Sequence, residues 1–467
     1  MRIKINLMLG FWVIFYSSLG YAFEVPTFFA SNMVVQQNKQ FVIWGTDTAK
    51  QRITMTTSWG GSTSTRADAN GKWRLTVDTP KADHKPHKIV LTGSNKKIFS
   101  NVLLGEVWFA SGQSNMGMPL SGNFNQPIIG SNETILHSTN PQLRLFTAAI
   151  KASVTPLDNV QGTWQEAQPA TVKTFSATAY YFAAKLQALL DVPVGIIVSA
   201  WGGTPVESWI DAPTLAQYAD FNFHQALTNQ PVHRQPSQLF NGMINPFLGL
   251  QIKGAIWYQG EANRSRAREY KTLFPAMVKN WRNLWNSGEF AFHFVQIAPF
   301  SYKGDRSSAY LREAQLQSVE AIPNSGMAVT LDVGNCSQIH PADKQPVGER
   351  LAYLALGNQY GMDVSHTAPT FKHADMLDDG KVSVDFANAP LGLTSFSKAI
   401  TEFEVAGNDR VFFPAQAKLM HRKAKLTVWS DEVKQPVAVR YAFKDCPSGE
   451  LFGVNGLPIS SFRSDDW

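Results

Sequence analysis

Ser114 is the residue of this chain whose type and setting best suit a nucleophile. It lies in the stretch Ser-Gly-Gln-Ser-Asn-Met, which directly follows the apolar run at 107–110. A buried strand that ends in a Gly-containing turn can hold one small nucleophile at the edge of a sheet. Taken alone, the same stretch is more typical of an ordinary polar turn. The remaining segments of the chain therefore decide its interpretation.

Three further apolar runs are followed by groups suited to acyl transfer. In an open parallel α/β sheet, ligands bind beyond the carboxyl ends of the strands, so groups that follow such strands are expected to converge on one edge. They are the Gly202-Gly203 pair after residues 195–200, Asn263 after residues 255–258, and His340 after residues 327–332.

These groups have the chemistry of a serine hydrolase. The Ser114 hydroxyl would attack a carbonyl, and His340 would act as general base. The Ser114 backbone N–H, one N–H from Gly202 or Gly203 (Gly203 is preferred) and the Asn263 amide would stabilise the oxyanion. One such donor is typically worth about 3–4 kcal/mol.

Four neighbouring side chains are candidates for substrate contact: Gln113, Trp201, Gln259 and Glu261. Aromatic rings such as that of Trp201 can line a sugar site, although core packing is a common alternative. For Glu261, a hydrogen-bonding structural role is favoured over a role as acid or base.

Composition and spacing exclude several other functions. The formal net charge is +6 with no Lys/Arg stripe, so nucleic-acid binding is not supported. The histidines show no metal-ligand spacing, and neither a metal nor another cofactor is predicted. Arg234, Lys253 and Arg264 could meet a substrate carboxylate, but a solvated side chain or a structural ion pair is favoured for each.

The chain of 467 residues divides into four predicted segments. Residues 1–22 are typical of a secretory signal peptide, with Arg and Lys before a short apolar run and Gly-Tyr-Ala at the end. Short apolar and alternating runs over 23–104 predict a β-sandwich-like domain. Residues 105–364 alternate strands and helices and predict a parallel, doubly wound sheet with helices on both faces. Residues 365–467 are β-rich again and are expected to pack back on the catalytic domain.

Within residues 105–364, apolar runs predict strands near 107–110, 195–200, 255–258, 290–297 and 327–332. Helical spacing predicts helices over 176–190, with Ser176 as cap, and over 266–285, 308–321 and 347–356.

The signal peptide implies export to the periplasm or the extracellular space, with no membrane insertion after its removal. In that setting Cys336 and Cys446 could form a disulfide that links the C-terminal part to the region near His340. Two separate free thiols are an equally weighted alternative.

The motifs resemble those of the SGNH hydrolases, which are named for Ser, Gly, Asn and His in four blocks. More closely, they are similar to the sialate O-acetylesterase family of carbohydrate esterases. The matching stretches are GEVWFASGQSNMGMPL, AWGGTPVESW, LFNGMINPF, IWYQGEAN, LFPAMVKNWRNLW, IHPADKQPVGERLA and GLPISSFRSDDW. The resemblance implies an esterase that removes acetyl groups from sugar hydroxyls without a metal, with Ser114, Asn263 and His340 in the catalytic roles.

One position departs from the SGNH pattern. These enzymes usually carry an Asp two or three residues before the histidine, where this chain has Gln338 and Ser337. His340 could instead be held by a backbone carbonyl, by Asp332 or by a group elsewhere. Without an anion beside it, the imidazolium gains less stabilisation, and weaker catalysis is expected.

The sequence thus predicts an exported serine esterase that acts on an O-acetylated sialic acid or related glycan. Two alternatives stay open. One is an esterase for acetylated xylan or another glycan, and the other is a non-catalytic glycan-binding protein on the same scaffold.

Overall fold

The computed structural model describes residues 22–302 and 307–467, apart from the side chain of His224. The predicted signal segment 1–22 lies outside the described residues except for its last position. Among the described helices, none combines the length and the apolar character needed to cross a membrane.

The N-terminal region is built from β-strands, as its alternating pattern predicts. β2 pairs with β5, β3 with β4 and β6, and β6 with β7, all antiparallel. The predicted domain boundary at residue 104 falls inside β7, which continues from these strands into the central sheet; the domain division stays a prediction. The strands are β1 Val34–Gln36, β2 Gln40–Thr46, β3 Arg52–Thr57, β4 Ser62–Arg66, β5 Lys72–Asp78, β6 His87–Thr92 and β7 Lys96–Gly112.

The central sheet has the order β13-β12-β11-β7-β10-β8-β9. All neighbours from β13 to β8 are parallel, but β9 is antiparallel to β8, and β6 is antiparallel to β7. The predicted parallel sheet is therefore confirmed from β13 to β8, but the sheet as a whole is mixed, because β9 and β6 join it as antiparallel neighbours. The short turn between β6 and β7 can join only antiparallel strands. The further strands are β8 Asn140–Thr147, β9 Trp164–Ala167, β10 Val194–Ala200, β11 Gly254–Tyr258, β12 Ala291–Val295 and β13 Ser325–Ala328.

The long helices occur close to where helical spacing places them. Ser176 caps α4 by accepting a hydrogen bond of 3.1 Å from the Ala179 N–H, an interaction typically worth about 1 kcal/mol. The helices are α1 Ser114–Gly117, α2 Ser131–Leu136, α3 Pro169–Val172, α4 Ala177–Leu190, α5 Ala212–Leu215, α6 Phe223–Leu227, α7 Ala267–Trp285, α8 Ser307–Ala321 and α9 Gln345–Tyr360. Shorter 3-10 turns are Val206–Trp209, Ala216–Tyr218, Val232–Arg234, Asn245–Phe247 and Glu261–Arg266, with a π turn at Phe240–Ile244.

Helices cover both faces of the central sheet, as predicted. Successive residues of a strand point to opposite faces, and Trp108 and Phe109 of β7 accordingly enter two different apolar clusters. Trp108 packs with residues of α4 and α9, whereas Phe109 packs with residues of α7. The last strand is shorter than its apolar run: β13 ends at Ala328, and Thr330 instead donates its hydroxyl to the Gln296 carbonyl over 2.7 Å.

The C-terminal region forms an antiparallel sheet of order β14-β15-β19-β18-β17-β20-β22. It contacts the central region through Arg312 of α8, which is fully buried and donates to the Ser461 hydroxyl over 3.1 Å. A disulfide between Cys336 and Cys446 makes a second connection and resolves the pairing left open by the sequence. The strands are β14 Thr370–Met376, β15 Val382–Ala387, β16 Leu393–Thr394, β17 Phe403–Ala406, β18 Phe412–Leu419, β19 Lys425–Trp429, β20 Ala438–Tyr441, β21 Phe452–Gly453 and β22 Phe462–Arg463.

Candidate active site

The end of β7 places Ser114 at the edge of the central sheet. Gly112 closes the strand with φ +135°, and a Cβ built there would lie 2.2 Å from the Tyr258 carbonyl oxygen. Only glycine fits this conformation and this close approach. Two residues later the chain enters α1 at Ser114. As the first residue of a helix, Ser114 has a backbone N–H without an acceptor inside that helix.

His340 faces the serine, as predicted. Its Nε2 lies 2.8 Å from the Ser114 hydroxyl oxygen, although the two residues are 226 positions apart in the chain. His340 belongs to the loop between β13 and α9 and is about half-buried. A nucleophile and a base within hydrogen-bond distance are the central requirement for acyl transfer by a serine.

The other ring nitrogen of His340 contacts Gln126. The distance between Nδ1 and the Gln126 Oε1 is 2.8 Å. Because a side-chain carbonyl oxygen can only accept, this contact requires a proton on Nδ1. The neutral ring then presents an unprotonated Nε2 to the Ser114 hydroxyl, which is the tautomer that a general base needs.

Asp332 is not the partner of His340. Its carboxylate forms a two-pronged ion pair with the Arg350 guanidinium, with contacts of 2.7 and 2.5 Å. Of the three possible orienting groups that the sequence left open, the structure thus has a group elsewhere, the amide of Gln126. No pattern near His340 could have identified it, because Gln126 lies 214 residues away.

The Gly-Gly turn after β10 lies beside the nucleophile. A Cβ built on Gly202 would come within 3.2 Å of the Ser114 Cβ, whereas one built on Gly203 would meet nothing within 4 Å. The close approach to Ser114 is therefore made by Gly202. The preferred assignment of the Gly203 N–H as an oxyanion donor stays a prediction.

Asn263 is fully buried and held by a defined set of partners. Its Oδ1 accepts from the Val206 N–H over 2.9 Å and from the Gln259 Nε2 over 2.7 Å. Its Nδ2 donates to the Glu207 carboxylate over 2.9 Å, and Glu207 also pairs with Arg266 at 2.8 Å. These contacts orient the amide and leave one Nδ2 hydrogen without an acceptor among the described residues. An oxyanion role requires a donor of this kind, and that role of Asn263 stays a prediction.

Asn115, the residue after the nucleophile, connects it to the loop of the histidine. Its Nδ2 donates to the Glu261 Oε1 over 2.6 Å and to the Ile339 carbonyl over 3.2 Å. Its Oδ1 accepts from the Nζ of Lys344, which is completely buried. Since Ile339 directly precedes His340, this bridge fixes the backbone of the base relative to α1.

The bridge brings a buried cation and a buried carboxyl close to the catalytic pair. Burial lowers the pKa of Lys344 to about 7, against the opposing effect of Glu261. Burial also raises the pKa of Glu261. The pKa of His340 is lowered, first by burial and then by the charge of Lys344. The imidazole is consequently neutral, and able to accept a proton, at a lower pH than an exposed histidine.

Three of the four side chains predicted to contact substrate lie behind the nucleophile. Gln113, Gln259 and Glu261 are all buried. The Gln259 Nε2 donates to the Thr204 carbonyl over 3.1 Å in addition to its contact with Asn263. Burial favours a supporting role for these three, and their direct contact with a sugar stays a prediction.

Trp201 is the predicted contact residue that is only partly buried. Its ring stacks on that of His233 at 4.7 Å with an angle of 9° between the planes. Its backbone N–H donates to the Gly112 carbonyl over 3.0 Å, next to the turn that carries Ser114. The backbone of Trp201 therefore lies near the predicted nucleophile, and contact of its ring with a sugar stays a prediction.

Two of the three basic residues considered for a substrate carboxylate have aromatic partners. Lys253 lies 4.8 Å from the centre of the Tyr360 ring, and Arg264 lies 4.1 Å from the centre of the Tyr302 ring.

Among the described residues, one group of His and Asp side chains is close enough together to hold a metal ion, and it lies on β14 and β15. Lys425 already pairs with one of its carboxylates at 2.8 Å. None of its members belongs to the candidate active site.

Comparison with known proteins identifies the family of the chain. Residues 104–356 match the family described as carbohydrate esterase, sialic acid-specific acetylesterase. The chain belongs to this family. The match includes Ser114, Asn263 and His340, and it identifies the chain as a carboxylic ester hydrolase.

Similar proteins extend the match beyond that central part. A crystal structure of a carbohydrate acetylesterase from Xanthomonas citri superimposes with a TM-score of 0.87 and 33% identity, covering 95% of this chain and all of that one (100%). The sialate O-acetylesterase of Homo sapiens is 29% identical over 385 residues, covering 74% of this chain and 72% of its own length. That of Mus musculus is 26% identical over 426 residues, covering 77% and 78%. The fold of this esterase is therefore shared well beyond the catalytic part.

Proposed function

We propose that the chain hydrolyses O-acetyl esters of carbohydrates by a serine mechanism with an acetyl-enzyme intermediate. The observation that carries this proposal is the 2.8 Å contact between the Ser114 hydroxyl and the His340 Nε2. Membership of a carbohydrate esterase family supplies the reaction class. The further proposal that the acetyl group is on a sialic acid or a related glycan draws its support from the names of the similar enzymes.

In the first half of the reaction, the Ser114 oxygen attacks the acetyl carbonyl while its proton passes to the His340 Nε2. The negative charge that develops on the carbonyl oxygen is stabilised by the Ser114 N–H, the turn at Gly202-Gly203 and the free hydrogen of the Asn263 amide. The tetrahedral intermediate collapses, His340 returns the proton to the sugar oxygen, and the deacetylated sugar leaves.

In the second half, water takes the place of the sugar. His340 removes a proton from the water, which attacks the acetyl group on Ser114. Collapse of this second intermediate returns the proton to the serine oxygen and releases acetate. Apart from the water, all reacting groups on the enzyme belong to the chain. The mechanism requires Ser114 and His340 to lie on the same face, as they do here.

The Gln126 amide replaces the anion of a complete triad. It holds the His340 ring through Nδ1 but provides no full negative charge to stabilise the imidazolium. A lowered histidine pKa and a neutral orienting group both favour a neutral resting base. We therefore expect the enzyme to hold its activity into mildly acidic solution.

We also propose that the mature chain acts outside the cytoplasm, in the periplasm or the extracellular space. The proposal rests on the signal-peptide pattern of residues 1–22 and on the disulfide between Cys336 and Cys446, because disulfides persist in oxidising compartments. Fractionation of the native host with an antibody to the mature chain tests it. Recovery in the cytoplasm with residues 1–22 still attached would exclude it.

The test of the function is acetate release by the purified mature chain and by its Ser114→Ala variant. The substrates are an aryl acetate, an O-acetylated sialic acid and acetylated xylan. We expect wild type to release acetate and the variant to lose the activity by a factor of at least about 10³. Folding of both proteins is checked by thermal unfolding. Equal acetate release by the two proteins would disprove the serine mechanism, and the ranking of the two glycans identifies the sugar class.

A further inference from the structure

The Gln126 side chain that holds the catalytic histidine belongs to a tight turn. The backbones of Asn123 and Gln126 exchange two hydrogen bonds, each of 2.9 Å. Phe124 and Asn125 are therefore the two residues at the tip, and Asn125 has φ 58°. Consecutive Cα atoms are about 3.8 Å apart, so the Phe124 Cα lies within about 7.6 Å of the Gln126 Cα. The tip thus lies within two residues of the side chain that contacts His340.

Phe124 is the most exposed large apolar residue of the described chain, at 92%. Its exposure does not come from a loose segment, because the chain on both sides is hydrogen-bonded to other elements. Before the turn, Leu120 N–H donates to the Phe175 carbonyl over 2.8 Å; after it, Ile129 N–H donates to the Ala342 carbonyl over 3.0 Å. The exposed ring of Phe124 is therefore carried by an anchored segment, and the same turn holds the Gln126 side chain that contacts His340.

The residues around the ring suit one kind of ligand. Asn123 and Asn125 flank Phe124 in the chain, and both are exposed. A phenyl face can pack on the C–H face of a pyranose ring, while side-chain amides can donate to and accept from its hydroxyls. No Lys, Arg, Asp or Glu occurs between residues 121 and 130, so the surface favours a neutral sugar face over an ionic group.

We propose that the Asn123–Gln126 turn is a sugar-binding subsite, in which Phe124 stacks on a pyranose ring next to the acetylated unit of the substrate. This inference rests on the proposed function, since it assigns the neighbouring unit of a carbohydrate substrate to that site. It makes the preferred substrate an acetylated oligosaccharide or glycan chain, rather than an isolated acetylated sugar.

The experiment compares kcat/KM for an acetylated oligosaccharide with that for an aryl acetate in each protein. We expect Phe124→Ala to lower the ratio of the two values by about three- to tenfold, the usual worth of an aromatic stacking contact. Phe124→Trp, which keeps an aromatic face, is expected to retain the ratio. Phe396→Ala is the matched control, because Phe396 is also an exposed phenylalanine, at 59%, and lies in the C-terminal region.

Binding without hydrolysis provides the second measurement. Titration calorimetry of a deacetylated oligosaccharide into the Ser114→Ala protein is expected to show binding that the added Phe124→Ala change weakens by a similar factor. An unchanged ratio together with unchanged binding overturns the subsite. An equal loss on aryl acetate and oligosaccharide also overturns it, since the turn would then serve only to hold Gln126. If wild type releases no acetate from any ester, the proposed function fails, while the calorimetry still decides the subsite.

Discussion

The Gln126 Oε1 lies 2.8 Å from the His340 Nδ1, at the position where an anionic side chain would stabilise a protonated histidine. An amide oxygen at this point selects the correct tautomer but contributes only a partial charge. Orientation and charge stabilisation, which a carboxylate provides together, are thereby separated. Substitutions at Gln126 can measure the two contributions independently.

Gln126→Ala removes the orientation, and Gln126→Glu adds the charge. We expect Gln126→Ala to lower kcat by more than about tenfold, equivalent to at least 1.4 kcal/mol of transition-state stabilisation. Gln126→Glu is expected to raise the pKa of His340, because a neighbouring carboxylate favours the protonated ring. The acid limb of kcat/KM then moves to higher pH. Wild-type pH profiles in both variants would show that Gln126 has no influence on the base.

Replacement of Lys344 is expected to shift the pH profile in the same direction for a different reason. The positive charge of Lys344 contributes to the lowered pKa of His340, so Lys344→Met removes that contribution and the pKa rises toward its ordinary value. Wild type is active at pH values above the lowered pKa, and the acid limb of the variant lies at higher pH. The measurement is kcat/KM from pH 4 to 8.

The change at Lys344 also removes a partner of the Asn115 bridge, so folding must be checked by thermal unfolding. Lys185→Met is a suitable control, because this lysine of α4 instead pairs with Glu349 of α9 at 3.0 Å. The control is expected to leave the acid limb in place. An acid limb that moves to lower pH in Lys344→Met would contradict the electrostatic explanation.

Asp332 is expected to act on stability rather than on catalysis. Its ion pair with Arg350 is largely buried, with 18% and 10% of the two side chains exposed. Loss of the pair in Asp332→Asn should lower the free energy of unfolding by about 1–3 kcal/mol, between the values for exposed and buried pairs. Arg350→Met should do the same. The kcat of Asp332→Asn is expected to stay within about threefold of wild type; a loss as deep as that of Ser114→Ala would identify Asp332 as part of the catalytic machinery.

The disulfide joins the loop of His340 to the C-terminal region across a sequence separation of 110 residues. Closing a loop of this length restricts the unfolded chain, and its removal costs roughly 2–5 kcal/mol of stability. We expect the Cys336→Ser/Cys446→Ser variant to unfold at a lower temperature than wild type. A reducing agent should lower the melting temperature of wild type and leave that of the variant unchanged. Equal melting temperatures for both proteins, with and without the reducing agent, would refute the stabilising role of this bond.

Much of the fold could be predicted from local pattern. The cap at Ser176 and the helical spacing of the apolar residues predict α4 and α7 to within a residue or two, because these signals act over one or two turns of helix. The mixed character of the central sheet could not be predicted, because β7 is longer than its apolar run. Its first half pairs with β6 across a short turn, which can join only antiparallel strands, and at the far edge of the sheet β9 is antiparallel to β8.

The sequence by itself predicted the nucleophile, the base and the amide of the candidate site, and the structure brings the first two into contact. Each of these residues follows the end of a central strand or belongs to a long motif; they are Ser114, Asn263 and His340. Chain order was therefore enough to predict that they meet at one edge of the sheet. The tertiary structure decided what surrounds them. Gln126 contacts His340, and Lys344 contacts Asn115, through side-chain hydrogen bonds across more than 200 residues. The side of the strand from which Gly202 approaches depends on packing. Such contacts leave no periodic pattern in the sequence, because they depend on where separate loops meet in space.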